Sequence, residues 1–515
     1  MKGFGTLDYA LVLGYLTLIA AIGTSFYKKK SSAKDYFLGG RAMSWLPVGI
    51  SLVAADLSAI TVMGVPAWSY KHNIELLILS LGYPLMAPLV IRIFVPFYAK
   101  LNLYTAYEYL ERRFSLGVRV TASVIFQILR GMHVAIVIYA PSLVINLVTG
   151  LPIWQCILFM GAFTTFYTTL GGMKAVIWTD VIQFSVVTSG IFLIFYTAFS
   201  RIDGGISRTF EIARAAGKLQ LFNCSTDPSQ LTSVWACLIG GFVLAMAPVA
   251  TDQAIIQRLF TTKSVRDCRQ SIIVQSLIIV PISAVLYLAG TALYSFYHTN
   301  PGRLEGLANT DAVMPFFAVH ELPAGVSGLV IAAIFGASMA VMSAGINSLT
   351  TATTVDFYQR LVRPGQSGRR LATVGRIGTL CWGVVTTVVA LFAGRLGELA
   401  NAYNLVSSHI SGPLLGIFLL AVLTKRTTAK GVLIGAGGGI LVIFILSLST
   451  DWSFFYLGPL GVIVTCGLGY LASLFMAPPP PEKIRGLVRG QGEIKALRDS
   501  EEIDPGVPAG QGPAA

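Results

Sequence analysis

From Leu7 to Phe475 the chain repeats one pattern, a long apolar stretch followed by a polar loop. The stretches fall at 7–27, 44–70, 75–99, 119–150, 152–171, 175–200, 233–260, 270–297, 320–357, 371–396, 399–424, 428–448 and 453–475. Each reaches the roughly 20 residues that cross a hydrocarbon layer about 30 Å thick. In hydrocarbon every backbone N–H and C=O must be paired within the protein, which restricts spans this long to helices. The expected fold class is all-α: a polytopic membrane protein of about 13 transmembrane helices.

Composition agrees. Of 515 residues 54% are hydrophobic and 12% charged, where a soluble chain carries about 25% charged residues. The net charge of +13 reads as loop asymmetry. On an alternating path, 27 Lys and Arg share the side of Lys28, Lys29 and Lys30, eight face the other side, and Arg92 and Arg130 lie inside spans. Excess Lys and Arg marks the cytoplasmic side. The N-terminus is therefore expected outside and the C-terminus in the cytoplasm, with the chain in the cell (plasma) membrane. No Lys/Arg–aromatic patch points to nucleic acid; the partners expected are the lipid bilayer and a small-molecule solute. The six cysteines are scattered without a CxxC pair, which suggests neither a disulfide framework nor a zinc site. Leu7 to Tyr27 is too long for a cleavable signal and lacks a small-residue cleavage site. No GxxxxGK[ST] motif offers an ATP-driven engine. No nucleophile–base set points to an enzyme.

One span breaks the apolar rule. Ser51 to Gly64 carries Asp56, Ser58 and Thr61, flanked by Pro47, Gly49, Gly64 and Pro66. A carboxylate at mid-bilayer is costly unless it faces a polar cavity or a partner, and Pro and Gly weaken the helix around it. The stretch reads as an interrupted helix lining a binding site; the plainer alternative is a kinked helix whose Asp56 bonds a neighbour. Span 233–260, with Gly240, Gly241 and Pro248, reads as a second interrupted helix. Such pairs open the two halves of transporters built from inverted repeats.

Several further motifs occur in order: Asp35 to Arg41, Ala106 to Phe114, Gly171 to Gln183, Thr251 to Gln253 with Gln257 and Arg258, and Asn347–Ser348 leading to Asp356–Tyr358. Together they resemble the sodium:solute symporter family, whose members carry sugars, proline, iodide, vitamins, monocarboxylates and sialic acid. The resemblance implies a LeuT-like fold of two inverted five-helix repeats. These would lie at 44–200 and 233–424, after an extra helix and loop at 1–43, with an extracellular loop at 201–232. Two further helices at 425–476 and a disordered cytoplasmic tail at 477–515 would complete the chain.

The resemblance also implies a site. Carbonyls of Ala54, Leu57 and Ala337 would bind Na⁺, completed by two adjacent hydroxyls where this chain has Ala340 and Val341. Three readings stand open: Asp56 supplies the missing oxygen, Na⁺ coupling is lost or replaced by H⁺, or Ser343 takes the role in a shifted register. A second cation position would use Asp180 and Ser343, against the alternative that Asp180 bonds helices together. Substrate positions would be Asp56, Ser58, Thr61, Leu76, Ser80, His133 and Asn404. Arg130 lies one turn before His133, where sialic acid carriers place their carboxylate-binding Arg, so sialic acid itself is disfavoured. His133 could bond a hydroxyl, bind an anion, shuttle a proton or serve only packing. Asn404, Ser407, Ser408 and His409, ahead of Gly412–Pro413, read as a gating segment or as interhelical glue.

The function expected is secondary active transport by alternating access: Na⁺-coupled symport of a small polar organic solute such as a sugar, sugar acid or monocarboxylate. The alternatives are an H⁺-coupled or cation-independent carrier and a transporter-like solute sensor. Oligomeric state and the identity of the solute are not written in the sequence.

Overall fold

The computed structural model describes residues 4–27, 32–305, 307, 310–393 and 399–491, the side chains of 99–100, 393 and 399–406 excepted. The described residues form helices and no strand; a single β-bridge joins Met43 to Thr262. The main helices are α1 (Thr6–Ser25), α2 (Trp45–Asp56), α3 (Ala59–Lys71), α4 (Gly82–Ile93), α5 (Leu116–Thr149), α6 (Ile153–Ser200) and α7 (Val234–Thr251). There follow α8 (Gln253–Phe260), α9 (Val265–Thr299), α10 (Val326–Ala352), α11 (Gly368–Ala393), α12 (Leu399–Leu423), α13 (Ala429–Ser449) and α14 (Phe454–Leu474).

Their starts are written in the sequence. Ser115, Ser233, Ser264 and Thr428 each precede an apolar run, and each side chain accepts a hydrogen bond from the third amide of its helix. That satisfies one of the donors a helix start leaves open.

Among the described residues ten helices are long and apolar enough to cross a membrane, eleven if the bent pair α2–α3 counts as one span. The sequence windows give about thirteen. The difference lies in α6, continuous by helix assignment over 48 residues but turned at Gly172 (φ 63°, ψ −165°), and in α12, described with its side chains only from Ser407. A Cβ at Gly172 would stand 2.8 Å from the Tyr36 carbonyl oxygen, so both the positive φ and the close approach call for glycine.

Helix α10 is the centre. In its most apolar window 94% of residues are buried, against 33% in α1, α11, α13 and α14. It packs against α6, α5 and α1. Buried Asp8 on α1 reaches its start, accepting from the amides of Gly325 (2.7 Å) and Gly328 (2.8 Å) as well as from its own Gly5 (2.9 Å). Helices α13 and α14 pack on each other and on α12.

Two helices are interrupted. α2 and α3 meet at 57° across Leu57 and Ser58. α7 and α8 meet at Asp252, which is extended (φ −87°, ψ 118°). The second break is displaced from its expected place, because α7 runs through Gly240, Gly241 and Pro248. The glycines serve close packing instead. A Cβ on Gly241 would lie 2.7 Å from the Leu79 carbonyl oxygen, and one on Gly240 2.6 Å from that of Phe455.

The expected disorder from 477 onward does not hold for the first part of that tail. Val488 is buried, the Tyr109 hydroxyl donates to the Leu487 carbonyl at 2.7 Å, and the Arg489 amide donates to Val422 at 2.9 Å. Apolar Leu487 and Val488, among charged neighbours, supply the anchor. Residues 492–515 lie outside the described residues.

Candidate functional site

At the first break the helix ends because Leu57 leaves helical geometry (φ −87°, ψ 77°). Ser58 then caps α3, its hydroxyl accepting from the Thr61 amide at 3.3 Å, while the Thr61 hydroxyl donates to the Asp56 carbonyl at 3.3 Å. The Ser58 and Thr61 hydroxyls thus replace hydrogen bonds the break removes. The Asp56 carboxylate accepts from the Gln275 amide at 2.7 Å, with Tyr83 beside it. Asp56 therefore bonds a neighbouring helix, α9, at the interruption itself.

Behind this break lies a narrow cleft lined by Ala54 and Leu57 of α2, Gln183 and Val187 of α6, and Ala337 and Ala340 of α10. Four of the five positions suggested for Na⁺ therefore come together. Val341, the fifth, is buried but does not line the cleft. No hydroxyl side chain lines it among the described residues. Gln183 does, fully buried, with neither amide atom hydrogen-bonded. From sequence Gln183 closes a motif and carries no assigned role. The available signal is its spacing, one turn past Asp180 on the same helix.

Asp180 engages its partners through one oxygen, and its Oδ1 is buried without one. Its Oδ2 accepts from Arg258 at 2.8 Å and from the Ser51 hydroxyl at 2.5 Å, and Arg258 also donates to Ser51 at 2.7 Å. All three side chains are buried. These three hydrogen bonds offset part of the cost of burying the pair. The arrangement favours Asp180 as a tie between α2, α6 and α8. Ser343 donates to the Ala340 carbonyl at 3.1 Å.

A separate cavity of about 50 Å³ lies between α5, the α7–α8 break and α12, with Arg130, His133, Thr251, Asp252, Ser407 and Ser411 as its polar lining. Arg130 pairs with Asp252 and sits 3.0 Å from His133 Nδ1. Asp252 also caps α8, accepting from the Ala254 amide at 2.8 Å. Among the described residues, only His133 of the expected substrate positions lines this cavity. Ser80 bonds the Leu77 carbonyl at 2.7 Å, and half-buried Leu76 sits in the same short 3₁₀ turn. The Asn404 side chain lies outside the described residues. Of its neighbours, Ser407 faces Ser411 at 3.1 Å on the cavity wall, whereas His409 bonds Ser447 of α13 at 2.7 Å.

A charged cluster ties the loop helix Ala106–Arg113 to the turns after α10. Arg119 donates to Asp356 (2.7 Å) and Glu111 (2.7 Å), and Arg360 donates to Glu111 at 2.7 Å. Burial pushes the Glu111 carboxyl up, but Arg360 and Arg119 outweigh it and hold it below the usual carboxylate range. Among the described residues no three His, Cys, Asp or Glu side chains gather as metal ligands.

A family model described as the sodium:solute symporter family matches residues 36–439. The sodium/sialic acid symporter NanT of Aliivibrio fischeri is 32% identical over 478 residues, covering 92% of this chain and 94% of its own. The human sodium-coupled monocarboxylate transporter 1 is 32% identical over 86% of this chain and 73% of its own. The human sodium/iodide cotransporter is 32% identical over 85% and 69%. A solved Na⁺-coupled sialic acid symporter, substrate-bound and outward-open, aligns over 92% of this chain and 99% of its own at TM-score 0.85 and 29% identity. The nucleobase-cation-symport transporter Mhp1, 12% identical at TM-score 0.61 over 85% of this chain and 93% of its own, shares the fold.

Proposed function

The chain belongs to the sodium:solute symporter family, and on that premise we propose that it couples Na⁺ entry to uptake of a small polar organic solute by alternating access. The observation that carries this reading is the cleft at the first break. Helices α2, α6 and α10 bring Ala54, Leu57, Ala337 and Ala340 to one place beside an interrupted helix. Carbonyls freed at such a break suit a hard monovalent cation. A cation there would stabilise one orientation of α2 against α10. By thermodynamic reciprocity, solute would then raise cation affinity by the same factor as the cation raises solute affinity.

The solute class consistent with Arg130, His133, Ser407 and Ser411 around the cavity is a hydroxylated molecule or a small acid, among sugars, sugar acids and monocarboxylates. An acid would meet Arg130 already engaged by Asp252, and so would bind in competition with that carboxylate. Repeats at 44–200 and 233–424, and thirteen spans reached by dividing α6 at Gly172 and counting α12, complete the reading. So does plasma-membrane placement with the N-terminus outside.

A second reading rests on Asp56, a carboxylate at the interruption bonded to uncharged Gln275 and therefore able to exchange a proton. H⁺ would then drive transport. The deciding measurement is solute-dependent thermal stabilisation of purified protein across sugars, acids and amines, in Na⁺ and in choline. Ligand that binds the native state raises its melting temperature by mass action. Stabilisation that requires Na⁺ is the expected outcome. Equal stabilisation in choline, with pH dependence removed by Asp56→Asn, would give the role to H⁺.

A further inference from the structure

Gln183 is a buried amide with both polar atoms unpartnered, and it faces a cleft that lacks hydroxyls. A buried amide without partners costs on the order of 1–3 kcal/mol, so such a side chain invites a functional account. Its position supplies one. α6 places Gln183 across the cleft from Ala54 and Leu57, where α2 ends, and from Ala337 and Ala340 on α10. Ala340 and Val341 bring no oxygen in their side chains.

Resting on the Na⁺-coupled reading above, we propose that the Gln183 amide oxygen is the side-chain ligand of the Na⁺ site, replacing the hydroxyl pair absent at 340 and 341. Neither amide atom meets a partner at hydrogen-bond geometry, although the hydroxyls of Tyr15 and Tyr167 lie beside it, so the oxygen can turn into the cleft. The nearest carboxylate along α6, Asp180, does not line the cleft and meets Arg258 and Ser51 through its Oδ2. The ligand set is then uncharged: backbone carbonyls and one amide. Uncharged oxygens suit a monovalent ion that must bind and then leave on every cycle. Tyr15 offers a competing role for Gln183. Its hydroxyl, also buried and unpartnered, adjoins Gly336 and Gln183. A purely structural amide paired with Tyr15 would affect stability without affecting Na⁺.

The test is the melting temperature of the purified full chain against NaCl at constant ionic strength, with choline chloride as balance. Wild type should gain stability with Na⁺. Gln183→Leu should raise the half-saturating Na⁺ concentration about tenfold or more, the loss of roughly one ligand. Adding Ala340→Ser to that variant should recover most of the change by returning a hydroxyl. If Gln183→Leu does not fold, Gln183→Glu serves. It keeps an oxygen in place and adds a charge, so half-saturation should fall at neutral pH and rise on acidification. A wild-type Na⁺ response left unchanged by these variants overturns the role of Gln183 and leaves Na⁺ coupling standing. A wild type that ignores Na⁺ overturns both.

Discussion

At Leu57–Ser58 and at Asp252 the chain leaves helical geometry for one or two residues and then resumes it. The first interruption holds its carboxylate, Asp56, with uncharged Gln275 and opens on a cleft whose one polar side chain among the described residues is an unbonded amide. The second holds Asp252 with Arg130 and borders a cavity lined by Arg130, His133, Ser407 and Ser411. Among the described residues, the first lines its cleft with uncharged residues only. The second pairs its charges and presents hydrogen-bonding groups around a cavity of about 50 Å³. The proposed division of labour rests on this contrast: the cation at the first interruption and the solute near the second.

The largest expected effect tests what joins them. Ser51 belongs to α2 and Arg258 to α8, and both meet Asp180. One buried pair therefore links a half of each broken helix. Asp180→Leu leaves Arg258 buried without its counter-charge, which costs about 3–5 kcal/mol. Thermal melts in detergent should show a deep loss of stability or no folded protein. A melt like wild type would mean the two interruptions are held apart by other contacts.

Smaller is the effect of Asp252→Asn. The amide oxygen can still cap α8, so the change isolates the charge pair with Arg130. The Asp252 side chain is 19% exposed, which allows water to soften the loss to about 1–3 kcal/mol. Solute affinity should change while half-saturating Na⁺, measured without solute, stays near wild type. Equal shifts in both would erase the proposed division.

The smallest effect lies away from both interruptions. Glu111 is held below the usual carboxylate range by Arg360 and Arg119 after opposing burial. Its folded value is lower than its unfolded value, so its stabilising share is present above about pH 4.3, the ordinary Glu range, and is lost as pH falls through the folded value. Melts between neutral and acidic pH should therefore show a drop only below that range, and Glu111→Gln should flatten it.

The spans were legible from sequence because the bilayer admits so few structures that hydropathy carries the topology. The first interruption was legible for the same reason: Asp56 has no place in a plain apolar helix. The second was misplaced because Gly240, Gly241 and Pro248 have two physical uses. Glycine admits both a break and a close approach, and only the position of Leu79 and Phe455 decides between them. The ion pairs were half legible. Asp180, Arg258, Asp252 and Arg130 are conspicuous in apolar surroundings, but partners 78 and 122 positions apart are chosen by packing. Gln183 stayed hidden because an amide in a helix looks the same whether bonded or not.

The contact between Asp8 and the amides of Gly325 and Gly328 bears on the chain's birth. Those partners are separated by 317 and 320 positions. At roughly 5–20 residues per second the ribosome needs on the order of tens of seconds after making Asp8 before Gly328 exists. Through that interval the first helix carries an acceptor waiting at its N-terminal end, and the seam closes only after most of the protein has been made. Assembly intermediates are accordingly open at this seam.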